Sequence, residues 1–90
     1  MLNKVPYKTV EVWTYEQGFV LIKNNNSRIV MNKNQSTIWN SIDGILTVTE
    51  LADKFKSDSK SEIDDNAVFG FIEMGKNIGI INFVEEEWDI

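Results

Sequence analysis

Apolar and polar positions alternate through KTVEVWTY (Lys8–Tyr15), with Val10 and Val12 on one face and Thr9, Glu11 and Trp13 on the other. A period of two marks a half-buried strand. GFVLIK (Gly18–Lys23) and RIVM (Arg28–Met31) are apolar and rich in β-branched residues, and read as two more strands. EQG at 16–18 and NNNS at 24–27 separate the three as turn signals. Asn tolerates the positive φ of a tight turn. Connections this short predict an antiparallel meander.

After Asn32 the spacing changes. NQSTIWNSID (Asn34–Asp43) carries Ile38, Trp39 and Ile42 at helical intervals and runs into Gly44, suited to a left-handed C-cap. In TVTELADKFK, Thr47 and Glu50 form a capping box, and Val48, Leu51, Ala52 and Phe55 form one stripe. SDSKS at 57–61 is a polar linker. The longest helix is expected from about Glu62 to Asn77, with an acidic start that suits the helix dipole and a stop at Gly79. IINFV at 80–84 is a further strand or a docked extended segment, and EEEWDI at 85–90 an acidic tail. Strands followed by helices predict an α+β fold. We expect one domain over 1–90: a three-stranded antiparallel sheet packed on three helices, winged-helix-like in order.

Composition narrows the chemistry. The 90 residues include no Cys and no His, which removes disulfides, thiolate catalysis, the usual neutral-pH base and the commonest metal ligands. The carboxylates Asp58, Glu62 and Asp65 lack the spacing of a calcium loop, and Asp64 and Asp65 diverge on a helix start. No phosphate-cradling glycine pattern is present, so neither an enzyme nor a cofactor or metal site is expected. The net charge of −5 disfavours phosphate backbones as partners. No apolar run suits a membrane span and the start lacks a signal-peptide core, so a cytoplasmic location is expected.

Two features are left without a core role. With Ile63 at zero and about 100° per residue, Ile63, Ala67, Val68, Phe71, Met74 and Ile78 fall in an arc centred at about 80°. Phe69 falls at about 240°, Ile72 at about 180°, Asp65 at about 200° and Lys76 at about 220°, giving a second face. That face either packs on the chain's own ends or receives a partner. In a meander the third strand, Ser27 to Met31, is an edge with unpaired N–H and C=O groups, open to an added strand or to cover by the chain's own tail.

GFVLI, IVMN, STIWNSIDG, TVTELADKF and a last helix closing on NIGII, in that order, resemble the PqqD-like family, the RiPP recognition elements. The resemblance covers about Val5 to Val84. Where the family has a Leu-Asn pair, this chain has Met31-Asn32. The resemblance implies a peptide chaperone, without catalytic residues or cofactor, that binds the leader segment of a ribosomally synthesised precursor peptide. It would deliver that peptide to a modifying enzyme: a cyclase or leader peptidase of a lasso-peptide pathway, or a radical SAM protein. The leader would add as a strand to Ser27, Arg28, Ile29, Val30 and Met31. On the third helix the phase above points it at Asp65, Phe69, Ile72 and Lys76. Met31-Asn32, Trp39 and the Asp43-Gly44 turn read as structural.

We expect a monomer or weak dimer, and the acidic charge and the lack of a long apolar run speak against nucleic acid and membrane as partners. The alternatives are a winged-helix nucleic-acid binder, disfavoured by the acidic third helix, and a scaffold that oligomerises through its edge strand.

Overall fold

The computed structural model describes residues 2–10, 13–24 and 27–84. The elements run β1 (Pro6–Lys8), β2 (Thr14–Glu16), β3 (Phe19–Asn24), β4 (Ser27–Val30), α1 (Lys33–Ser41), α2 (Val48–Lys56), α3 (Asp65–Ile78) and β5 (Ile81–Phe83). Strands β2, β3 and β4 form a three-stranded antiparallel sheet in that order, and β1 pairs with β5 in a separate ribbon. The α+β class and the three-stranded sheet with three helices are therefore as expected.

The first strand departs from expectation. Lys8 ends β1, and among the described residues the next sheet pairing is at Thr14. Thr9 donates its N–H to the Ile80 carbonyl and its hydroxyl to the Gly79 carbonyl, which ties the chain to the end of α3. The alternation fails for the same reason. Val10 and Trp13, expected on opposite faces, both pack against the core. Glu11, Val12, the middle of NNNS and the acidic tail 85–90 with Trp88 and Ile90 lie outside the described residues.

Between β2 and β3 the chain turns in two residues, Gln17 at φ 56° and Gly18 at φ 86°. Two positive φ values give the hairpin turn whose twist matches the flanking strands. The inner face of the sheet buries Val20, Ile22 and Met31 against Ile38 and Trp39 of α1, with Val48, Leu51, Val68, Phe71 and Ile72 completing the core.

Each helix start carries a side-chain cap. Asn32 caps α1, its side chain accepting from Gln35 N while the Gln35 side chain accepts from Asn32 N. At α2 the Thr47–Glu50 box forms as expected. The Lys4 and Leu2 carbonyls accept the N–H groups of Val48 and Thr49, which would otherwise lack partners in a first turn. Asp64 caps α3, whose start is thus three residues later than expected. Gly79 closes α3 at φ 90°. Gly44 is left-handed as well, but α1 has already ended at Ser41, with Ile42 extended. The Asp43 carboxylate accepts from Leu46 N and Ile45 N across that turn, and these bonds hold its carboxyl below the ordinary range.

Candidate functional site: the free edge of β4 and the groove beside α3

Met31 N donates to Val20 O at 3.0 Å, so Val20 and Met31 form a hydrogen-bonded pair across β3 and β4. Such pairs alternate along an antiparallel ladder. The register Leu21–Val30, Ile22–Ile29, Lys23–Arg28 then turns the N–H and C=O of Ile29 toward β3. Those of Arg28 and Val30 point away from the sheet, where no described strand lies beyond β4. Side chains follow the same period: Ile29 packs on the core and Met31 is buried, while Arg28 and Val30 are exposed. Val30 shows 67% of its surface.

The corner after this edge is held by one buried hydroxyl. Ser36 Oγ accepts from Val20 N at 2.9 Å and donates to Met31 O at 3.4 Å. In an unbroken ladder Val20 N would bond Met31 O directly. The hydroxyl stands between the two and lets the chain leave the sheet at Met31 and enter α1. Tyr15 of β2 donates to Asn40 Oδ1 and ties α1 to the opposite edge of the sheet.

Immediately past the corner a groove of about 300 Å³ opens between α1 and α3. Asn32, Gln35 and Ile38 line one wall, and Asn66, Ala67, Gly70 and Met74 the other. The lining combines the side-chain amides of Asn32, Gln35 and Asn66 with the buried Ile38 and Phe71 and the exposed Gly70. Gly70 stands out: a Cβ there would meet nothing within 4 Å, so packing does not require the glycine. A glycine inside a helix costs about 0.5–1 kcal/mol relative to alanine. Gly75 differs, because its Cβ would lie 2.5 Å from Ile81 Cδ1, and there the close approach of β5 to α3 explains the residue.

The expected helix residues sit elsewhere. Ile72 is fully buried and offers no surface to a partner, a correction to the second-face assignment. Asp65 pairs with Lys56, the last residue of α2, at 3.1 Å, and its other oxygen is buried without a hydrogen-bond partner among the described residues. Phe69 packs partly on the core and Lys76 is exposed in the last turn. These residues lie on the flank of α3 toward α2, whereas the groove lies on the flank toward α1. The buried residues Val68, Phe71, Ile72 and Gly75 centre the core arc about 50° from the expected one. Ile63 precedes the helix and so does not share its phase, and Gly75 is buried without an apolar side chain to mark it. Ile78, expected in the core, is 48% exposed. Ala67 and Met74, assigned to the core, are half-buried and line the groove. The legible signal for this wall was Gly70, a mid-helix glycine with no capping role.

Asp58, Glu62 and Asp65 do not converge; among the described residues no group of three acidic side chains is placed to hold a metal ion. No described helix is long and apolar enough to cross a membrane. Comparison with protein-family models, with curated proteins and with solved structures finds no match to this chain.

Proposed function

We propose that the protein binds an extended peptide by strand addition to β4, and that the peptide is the leader of a ribosomally synthesised precursor. The observation that carries this is the outward-facing backbone of Arg28 and Val30, two residues before a groove lined by Asn32 and Gly70. An added strand takes affinity from backbone bonds and selectivity from side-chain pockets. The edge supplies the first and the groove the second. The likeness of the motifs to PqqD-like proteins supports the choice of a leader peptide over other extended ligands. On this proposal the protein is no enzyme: it works in the cytoplasm as a monomer or weak dimer and hands the peptide to a cyclase, leader peptidase or radical SAM protein.

The test is calorimetric titration with synthetic leaders of short open reading frames encoded beside the gene. Binding that is lost in Val30→Pro, while the far-ultraviolet spectrum and melting are kept, supports the proposal. Proline deletes one outward donor and is tolerated at sheet edges. Undiminished binding by Val30→Pro counts against it.

A further inference from the structure

On the outer face of the sheet, Lys23 lies directly opposite Arg28. By the alternation above this is a non-hydrogen-bonded pair, the kind in which side chains come closest. Like charges so placed repel. Both side chains are exposed, and among the described residues the only ion pair joins Lys56 to Asp65, so neither cation pairs with a described carboxylate. The chain has 14 acidic residues against 9 basic ones, yet two of its cations face each other at the free edge. One step along the same face Val30 pairs with Leu21; Val30 is 67% exposed and Leu21 is 3% exposed. The edge strand thus displays a cation backed by a cation, and two positions on an aliphatic side chain backed by an aliphatic one.

A strand added to β4 presents its own side chains with the same period of two. The residues beside Arg28 and Val30 share the outer face, and the residue between them turns inward, to the side of the helices. We infer that the occupant of this edge is an extended segment carrying a carboxylate and an aliphatic side chain two positions apart. The carboxylate relieves the Lys23–Arg28 repulsion and sets the register of the added strand, the usual role of charges at an interface rim. This rests on strand addition as proposed above and specifies the chemistry of what is added.

The test uses random ten-residue peptides displayed on phage and selected against the full chain at low salt. The expected result is enrichment of Asp or Glu two positions from Val, Ile or Leu. For the best synthetic peptide, Arg28→Glu is expected to lower affinity about fivefold, and exchanging the peptide's carboxylate for a lysine to restore it. Peptides that lose binding in Val30→Pro but show neither the carboxylate nor any response to Arg28→Glu would overturn this inference while leaving strand addition standing. Selected peptides that bind Val30→Pro undiminished, or no selected peptide at all, would overturn both. A ten-nucleotide oligothymidylate that displaces the peptide from wild type but not from Arg28→Glu would reassign the cations to phosphate and likewise overturn it.

Discussion

Replacing Ser36 with alanine removes one oxygen from the corner that holds the docking edge. Ser36 is 3% exposed, and Val20, whose N–H it accepts, is fully buried. A buried donor left unsatisfied costs about 1–3 kcal/mol. The 3.4 Å bond to Met31 O is long and adds little. Alanine returns a few tenths of a kcal/mol through helix propensity. The expected net loss is about 1–2.5 kcal/mol, a substantial share of the roughly 5–13 kcal/mol available to a chain of this size. Urea unfolding followed by tryptophan fluorescence measures it, with the midpoint falling and the slope unchanged. Ser41→Ala is the control, since that hydroxyl bonds the Thr37 carbonyl within its own helix, and the variant is expected to match wild type within about 0.5 kcal/mol. A Ser36→Ala variant within about 0.5 kcal/mol of wild type would refute the pinned corner.

Gly70→Ala is expected to stabilise the fold by about 0.5–1 kcal/mol while weakening peptide binding, because a methyl enters the groove. Gly75→Ala is expected to destabilise by about 1–3 kcal/mol, its Cβ overlapping the buried Ile81 side chain; the two are compared by urea unfolding and calorimetry. Gln17→Gly relieves a left-handed non-glycine residue and is expected to raise stability by about 1 kcal/mol in the same unfolding assay. The carboxyl of Asp43 is held down by the Leu46 and Ile45 N–H groups, so its folded-state pKa lies below the unfolded one. Its contribution is therefore complete above the unfolded pKa, about 4, and is lost as pH falls through the folded value. Asp43→Asn keeps an acceptor without the titration, and melting between about pH 5 and pH 2 should fall less steeply than in wild type.

The helix caps were legible because their chemistry is local: Thr47, Glu50 and Gly79 act through residues within one turn. The same holds for β3 and β4, whose short connection fixes the pairing. What the chain does at Lys8–Tyr15 was not legible. Alternation describes a strand but not its partner, and the pairing of Pro6–Lys8 with Ile81–Phe83 joins segments over seventy residues apart in the chain. The position of β4 at the sheet edge followed from strand order alone. The rotation of α3 did not follow, because it depends on where Asp64 starts the helix and on Gly75, a buried position that carries no apolar signal. Ser36 was equally hidden, since a hydroxyl amid helix-forming residues does not announce the strand N–H it accepts.

The central claim is that the backbone of Arg28 and Val30 faces outward and is free to pair. Hydrogen exchange of the β4 amides measures this directly, without and with a saturating peptide selected on the full chain. In the free protein the amides of Ile29 and Met31 should exchange slowly and those of Arg28 and Val30 fast, with the peptide slowing the second pair alone. Equal protection of all four amides in the free protein, or no slowing at Arg28 and Val30 with peptide bound, would contradict the claim.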